Sequence, residues 1–140
     1  MKKITVITVL ILSLLLTVSC GNTVDTQDKI LYESTGSSAI EIGTGDNYFD
    51  FSVTDAEGTV YNFHVHTDKT IVGEALEELG LLEGTEGEFG LYVNRVNGIY
   101  AQYEETGTYW AFYVNGEYAS AGIDMTEISE GSSYEMRIEK

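Results

Sequence analysis

Two histidines, His64 and His66, have the spacing that most directly suggests chemistry. Because they lie two positions apart in an alternating run, their side chains point to the same face of a strand. Paired imidazoles can bind zinc or copper, provided that acidic side chains supply further ligands. The other interpretation is that both are solvated positions on a strand whose opposite face is buried. We favour this second interpretation and expect no metal site.

The sequence offers no constellation of residues that is typical of an enzyme. No serine lies in a Gly-x-Ser-x-Gly motif, and no glycine-rich phosphate-binding motif is present. Adjacent acids such as Glu77-Glu78 are expected by chance among 23 acidic residues. The loop predicted over residues 83–88 is acidic, but it lacks the spaced aspartates of an EF-hand. We therefore expect a protein that is not an enzyme and that has no resident cofactor.

A dense aromatic run covers residues 109–114. In a strand, Trp110 and Phe112 share one face while Tyr109 and Tyr113 share the other. One face must build the core, which leaves two interpretations of the second. The tyrosines either stabilise the sheet through cross-strand contacts or form an exposed platform that stacks a planar or sugar-like ligand, or docks a protein.

The composition excludes several classes of partner. The chain has 140 residues, of which 23 are acidic and 7 basic, giving a net charge of -16. Nucleic acid is excluded as a partner because its phosphates are bound mainly by lysine and arginine. Electrostatic docking on anionic lipid is disfavoured for the same reason. The single cysteine rules out an intramolecular disulfide, and a hydrophobic content of 43% is ordinary for a globular protein.

The N-terminus predicts export and lipid attachment. Lys2 and Lys3 precede an apolar stretch over residues 4–18, which is shorter than the roughly 20 residues that a membrane-spanning helix needs. The run 16–21, Leu-Thr-Val-Ser-Cys-Gly, resembles a bacterial lipobox. We predict a lipoprotein signal peptide over residues 1–19 and acylation, palmitate included, of Cys20. The chain would then be anchored on the extracytoplasmic face of the cell membrane. The alternative is an ordinary secretory signal.

Two regions follow the predicted signal. Residues 20–45 are rich in Gly, Ser, Thr and Asn, and we predict a flexible tether there. Short apolar runs at 30–32 and 40–42 remain candidates for an edge strand. Residues 46–140 have the patterning of a folded domain.

Strand and helix periods alternate within residues 46–140. Residues 49–53 and 60–66 alternate apolar and polar side chains, which predicts a hairpin. Val72, Ala75, Leu76 and Leu79 form one stripe of a helix that Thr70 can cap. Two later runs each end in Asn-Gly, the strongest short signal for a hairpin. With a closing strand at 134–138, we predict an α+β fold in which one helix covers one face of a single sheet.

Four segments in this order resemble the DUF4430 family. They lie at 70–76, at 88–93 with 96–99, at 107–116 and at 121–124. That family is similar to the C-terminal β-domain of the cobalamin carriers transcobalamin and intrinsic factor. The resemblance covers about residues 48–139 and implies a β-grasp-like sheet that holds a helix.

The resemblance also implies a ligand. In the carriers this domain closes over one face of a corrin ring, and a helical barrel that is missing here holds the other face. The resemblance therefore implies a corrinoid (cobalamin) as the ligand. At the positions of this sequence that match the carriers, it implies ligand contacts by Phe89, Gly90, Tyr92, Tyr109 and Trp110. Phe89 stands where the carriers have tryptophan. We expect a non-catalytic, ligand-binding surface lipoprotein that serves uptake with a transporter or surface protein. The alternative is an adhesion module that binds protein or glycan.

Overall fold

The computed structural model describes residues 26–140, which form nine strands, two α-helices and one 3₁₀-helix. The strands are β1 (Ala39–Gly43), β2 (Asn47–Thr54), β3 (Val60–Thr67), β4 (Leu82–Gly87), β5 (Gly90–Val96), β6 (Ile99–Tyr100), β7 (Tyr109–Val114), β8 (Glu117–Tyr118) and β9 (Ser133–Glu139). The helices are α1 (Val72–Glu78), α2 (Tyr103–Thr106) and the 3₁₀-helix Ile123–Met125. The predicted signal peptide and Cys20 lie outside the described residues. Within the described part, no helix has the length and apolarity to cross a bilayer.

The main sheet has six strands in the order β1-β3-β2-β9-β7-β8. β2 pairs antiparallel with β3, as the alternating pattern predicts, and parallel with β9. β7 pairs antiparallel with β9 and with β8. The α+β class is confirmed. β4, β5 and β6 pair separately as a second, three-stranded sheet, and α2 lies between β6 and β7 in the chain.

One face of the main sheet forms the core with α1. Alternate residues of β2 and β3 are buried, while Asp50, Ser52, Asn62, His64 and His66 lie on the opposite face. α1 contributes Val72, Ala75 and Leu76 to the same core. The buried members from the two strands are Phe49, Phe51, Val53, Tyr61, Phe63 and Val65. The alternation in the sequence therefore predicts correctly which side chains of β2 and β3 lie on the buried face of the sheet.

α1 begins without the side-chain cap that we predicted. Ile71 occupies the N-cap position in extended conformation, and no side chain caps the helix. Instead, the N–H of Val72 donates to the carbonyl of Thr126 at 2.9 Å. The prediction of a Thr70 cap is thus wrong, because a backbone carbonyl more than fifty residues away satisfies the first helical donor. Gly73 allows this approach: a Cβ there would lie 3.0 Å from the Cα of Asp124.

The acidic segment that we predicted as a loop is the strand β4. It pairs antiparallel with β5, with an irregularity between Glu83 and Gly84, and Glu88 and Phe89 form the turn. A Cβ on Gly84 would lie 2.6 Å from the carbonyl oxygen of Tyr92, so this close approach requires glycine. All the residues of β4 after Leu82 are exposed, which explains why no hydrophobic alternation marked the strand.

Both Asn-Gly hairpins are confirmed. Asn97-Gly98 joins β5 to β6, and Asn115-Gly116 joins β7 to β8. The φ angles are 49° and 79° in the first turn and 50° and 80° in the second. Positive φ at both central residues is what a type I′ turn requires.

Part of the predicted tether is packed against the domain. β1 pairs parallel with β3, so the candidate edge strand at 40–42 does form. Upstream, the N–H groups of Lys29 and Leu31 donate to the carbonyls of Gly98 and Asn97, at 3.0 and 3.1 Å. Asn97 is fully buried, and its side-chain amide makes two hydrogen bonds to the backbone of Tyr32. Packed structure thus begins before residue 46, the boundary that we predicted from composition.

Candidate functional site

A hollow of about 310 Å³ lies between β5 and β7, and we call it the β5–β7 hollow. β5 contributes Leu91, Tyr92 and Val93, and β7 contributes Tyr109, Trp110 and Phe112. The segment from Tyr118 to Ile123 closes one side, and Met136 also lines the hollow. The structure thus brings together three of the five predicted ligand residues, namely Tyr92, Tyr109 and Trp110.

Trp110 belongs to the core and lines the hollow at the same time. Its residue is 8% exposed and packs in the core cluster with Phe112, as the alternation of β7 predicts. The indole Nε1 is buried and has no hydrogen-bond partner among residues 26–140. A buried indole N–H usually finds an acceptor, so this donor is uncommon. The wall of the hollow therefore includes a large ring whose one polar atom is unsatisfied.

Gly90 acts through its backbone. It opens β5 with a φ of 105°, and a Cβ there would lie 2.8 Å from Oδ2 of Asp124. The same oxygen accepts a hydrogen bond from the N–H of Leu91 at 3.1 Å. Asp124 therefore fastens the start of β5 to the 3₁₀-helix and fixes one wall of the hollow. Asp124 belongs to the sequence segment 121–124, but an aspartate at this position did not by itself indicate that it would bond the backbone of β5.

Phe89 stands apart from the hollow. It sits in the two-residue turn between β4 and β5 and is 92% exposed. It is absent from the lining of the β5–β7 hollow, although the chain runs from it through Gly90 directly into Leu91. The turn therefore presents a bare aromatic ring to solvent, next to the acidic Glu88.

The outward rings of β7 are largely occupied by neighbouring side chains. Arg137 lies over the ring of Tyr113 at 4.6 Å, and Tyr118 meets the same ring edge-on at 5.5 Å. The Tyr113 hydroxyl donates to the Glu139 carboxylate, and this bond, followed by burial, raises the pKa of Tyr113. Hydrogen bonds to Glu135 raise the pKa of Arg137. Tyr113 thus serves cross-strand stabilisation, whereas Tyr109 lines the hollow.

Parts of β5 and β7 that border the hollow each have one edge without a strand partner among residues 26–140. β6 pairs only with Arg95 and Val96, and the carbonyl of Asn94 accepts from Ala101, so the part of β5 before Asn94 has β4 alone as its strand neighbour within residues 26–140. β8 likewise pairs only with Tyr113 and Val114. The carbonyl of Phe112 accepts a hydrogen bond from the N–H of Ala119, so the backbone groups of Phe112 point away from β9. Alternate residues of a strand direct their N–H and C=O groups to the same side, so those of Trp110 point away from β9 as well.

The histidines lie on the outer face of the main sheet, away from the hollow. The side chain of His64 is 43% exposed and that of His66 is 40% exposed. Nδ1 of His64 bonds Asp50, and Nε2 of His66 bonds Glu41. Among residues 26–140, no group of three or more His, Cys, Asp or Glu side chains is arranged to hold a metal ion.

A larger hollow of about 420 Å³ lies between the N-terminal segment and β5. Arg95 lines it, and its guanidinium donates to the carbonyls of Gly98 and Gln27 at 2.9 and 3.2 Å. The guanidinium also lies 5.2 Å from the ring centre of Tyr100. Burial, and then the hydrogen bond to Glu105, raise the pKa of Tyr100. These polar groups hold the N-terminal segment in place, so we do not assign this hollow a ligand.

The sequence did not indicate one wall of the β5–β7 hollow, the segment 118–123. It consists mainly of small residues, Ala119, Ser120, Ala121 and Gly122, and although the family resemblance includes residues 121–124, nothing in these residue types indicates that they line a hollow. Small side chains let the chain turn close to β7 without filling the space beside Trp110. The hollow therefore depends on a part of the chain that carries no chemical motif.

Several solved structures resemble this fold, among them the following two. A "putative metal binding protein" from Ruminococcus gnavus ATCC 29149 superposes with a TM-score of 0.63 at 26% identity, covering 68% of this chain and 98% of that chain. Haptocorrin in complex with Cbi superposes with a TM-score of 0.51 at 20% identity, covering 67% of this chain and 25% of that chain. At this identity the likeness to haptocorrin concerns the fold, and the chain spans about a quarter of haptocorrin's length. No curated protein matches the chain.

A model of a protein family matches the larger part of the described chain. The model described as "Domain of unknown function (DUF4430)" matches residues 68–140. The matched range includes α1, both Asn-Gly hairpins and the lining of the β5–β7 hollow. The resemblance read from four sequence segments is thereby confirmed. Since the match covers more than half of the 140 residues, the chain belongs to the DUF4430 family.

Proposed function

We propose that this protein binds a small molecule without transforming it, and that the ligand contacts the β5–β7 hollow. The observation that carries the proposal is the meeting of Tyr92, Tyr109 and Trp110 around one concavity. Aromatic rings with a polar edge can stack a planar ligand and hydrogen-bond its substituents. The net charge of -16 favours a neutral or cationic ligand over an anion.

The size of the hollow limits what it can hold. Its 310 Å³ stands at the lower end of the range for small-molecule sites, roughly 300 to 1,000 Å³. A macrocycle could therefore present one edge or one side group to the hollow but could not be enclosed by it. Haptocorrin, of which this chain spans about a quarter, was solved with Cbi bound. We propose that the ligand is a corrinoid. This protein would contact one side of it, and a transporter or surface protein would contact the other side.

Substituting Phe89 by alanine should weaken corrinoid binding and leave the melting temperature unchanged. Phe89 is 92% exposed, so its removal deletes no packing in the free protein. It lies outside the hollow but only two residues before Leu91, which lines it, so a macrocycle too large for the hollow would extend over this ring. Covering a phenylalanine ring with ligand contributes about 1.5 to 3 kcal/mol, so the affinity should fall by roughly ten-fold or more. Quenching of Trp110 fluorescence by cobalamin and cobinamide measures the affinity, since Trp110 is the only tryptophan.

The matched control is Tyr103→Ala. Tyr103 is 58% exposed and belongs to α2, outside both the β5–β7 hollow and the turn that leads into β5, so its loss should change neither affinity nor melting temperature. Tyr92→Ala, inside the hollow, should weaken binding. If neither corrinoid quenches the wild-type protein at millimolar concentration, the corrinoid proposal fails. If Phe89→Ala instead lowers the melting temperature by several degrees, the ring has a structural role.

We also propose that Cys20 carries a lipid and holds the domain on the extracytoplasmic face of the membrane. The support is the sequence 16–21, which resembles a lipobox at the only cysteine. Several acyl chains anchor stably, because each buried methylene contributes about 0.8 kcal/mol. Cys20→Ser should therefore move the protein from the membrane fraction of its native host to the soluble fraction. Retention of the variant in the membrane fraction would exclude Cys20 as the anchor.

A second candidate function is docking of a protein. Its support is the pair of strand edges without partners beside the hollow, where an extended peptide could add as a further strand. The bare ring of Phe89 could then anchor the same partner. This candidate predicts binding of an extended peptide that blocks hydrogen exchange at Val93 and Trp110, with no corrinoid affinity.

A further inference from the structure

Two imidazole–carboxylate pairs stand side by side on the outer face of the main sheet. Nδ1 of His64 donates to Oδ1 of Asp50 at 2.5 Å, and Nε2 of His66 donates to Oε2 of Glu41 at 2.9 Å. The histidines belong to β3, which lies between β1 with Glu41 and β2 with Asp50. Three adjacent strands thus assemble this cluster, and it is separate from the β5–β7 hollow.

Each imidazole keeps its second nitrogen available. Nε2 of His64 and Nδ1 of His66 have no hydrogen-bond partner within the described part of the chain. Both side chains are on the same face of β3, about 7 Å apart along the strand at their Cα atoms. Since each is about two-fifths exposed, rotation of the rings can bring the two nitrogens to the same ion.

The carboxylates stand where metal sites place their supporting groups. A histidine that binds a metal usually donates its other ring N–H to a carboxylate, which fixes the tautomer and the ring orientation. Glu41 is also directly opposite His64 in the register, yet it bonds His66, so its side chain extends from one histidine to the other.

We propose that His64 and His66 chelate one divalent transition-metal ion through these two nitrogens. Asp50 and Glu41 orient the rings, and water completes the coordination. Two protein ligands make an open site, which is compatible with the lack of a ready group of three ligands in residues 26–140. Imidazole ligands favour Cu²⁺, followed by Ni²⁺ and Zn²⁺, over Mg²⁺ and Ca²⁺. This inference departs from our expectation from sequence that both histidines are only solvated.

The surroundings leave room for an ion and its waters. Asp50 and His64 line a hollow of about 310 Å³ together with Ser52 and Asn62. His66 lines another of about 610 Å³ beside Lys69 and Glu78. The net charge of -16 favours cations at the surface generally, so the test must separate a specific chelate from diffuse attraction.

The test is titration of the full chain, solubilised in detergent, with CuCl₂ and ZnCl₂ by calorimetry. Every variant carries Cys20→Ser so that the only thiol does not compete. We expect one Cu²⁺ per chain and an electron paramagnetic resonance spectrum with two coordinating nitrogens. His64→Gln and His66→Gln should each reduce the Cu²⁺ affinity by more than about ten-fold, and Asp50→Asn and Glu41→Gln by about ten-fold.

The control is Glu86→Gln, which removes an exposed acid on β4 and should leave the Cu²⁺ affinity unchanged. Circular dichroism establishes that each variant folds, as expected for half-exposed side chains. Equal affinity in the chain that carries Cys20→Ser alone and in the histidine variants would overturn the proposal, as would a spectrum with one nitrogen or none. Absence of Cu²⁺ binding would overturn it as well. Corrinoid binding at the β5–β7 hollow is measured separately, so the two proposals can fail independently.

Discussion

Replacing Trp110 by alanine should lower the free energy of unfolding by about 3 to 5 kcal/mol, the usual cost of removing a large buried ring. Trp110 is 8% exposed and packs against the core that Phe112 and Met136 share. The cavity left behind would open into the β5–β7 hollow, which cannot collapse without moving β7. Urea denaturation of residues 26–140, followed by far-ultraviolet circular dichroism, measures the loss without needing tryptophan fluorescence.

Trp110→Phe separates ring volume from the indole N–H. Because Nε1 has no acceptor among the described residues, this substitution deletes no hydrogen bond. Its cost should therefore stay below about 2 kcal/mol, the range for a change of shape in a packed core. A loss under 1 kcal/mol for Trp110→Ala would mean that the ring is not part of the core, contrary to its burial.

Gly98→Ala should cost about 2 kcal/mol more than Gly116→Ala, although the two glycines occupy equivalent turns. Their φ angles are 79° and 80°, so both variants incur the left-handed penalty of about 1 to 2 kcal/mol. A Cβ on Gly116 meets no atom within 4 Å, whereas one on Gly98 would lie 1.7 Å from the carbonyl oxygen of Lys29. The N-terminal segment must therefore move away and lose the hydrogen bonds that hold it, each worth about 0.5 to 1.5 kcal/mol.

Limited trypsin digestion reports this release directly. Cleavage after Lys29 should be slow in the wild type and in Gly116→Ala, and fast in Gly98→Ala. Chemical denaturation of the same variants gives the difference in stability. If the two alanine variants are equally stable and equally resistant to trypsin, residues 27–32 do not contribute to the fold.

The features that the sequence predicted well are those that local chemistry determines. Asn-Gly specifies a type I′ turn because both residues tolerate positive φ, and both hairpins form as expected. Alternation in β2 and β3 indicates which side chains are buried, since the period of a strand is two. The stripe of α1 is equally local, because it follows from the helical repeat.

The features that the sequence did not predict depend on distant parts of the chain. The first N–H of α1 is satisfied by the carbonyl of Thr126 in place of the nearby hydroxyl of Thr70. β4 is paired through its backbone alone, so its exposed acidic side chains carry no strand pattern. Of the five predicted ligand residues, Phe89 lies in a turn outside the hollow, since the identity of a residue does not tell how far a hairpin projects.

The attachment of residues 27–32 to the Asn97-Gly98 turn changes the reach of the whole domain. A free tether of 25 residues could extend to about 85 Å, at roughly 3.4 Å per residue. With a lipid on Cys20 and the chain fastened from Gln27 onwards, seven residues remain, and they extend to about 25 Å. The domain would then remain close to the lipid headgroups, and the fixed attachment point would limit how it can be oriented relative to the membrane. Cargo held there would need to travel only a fraction of the domain's own width to enter a membrane-embedded permease.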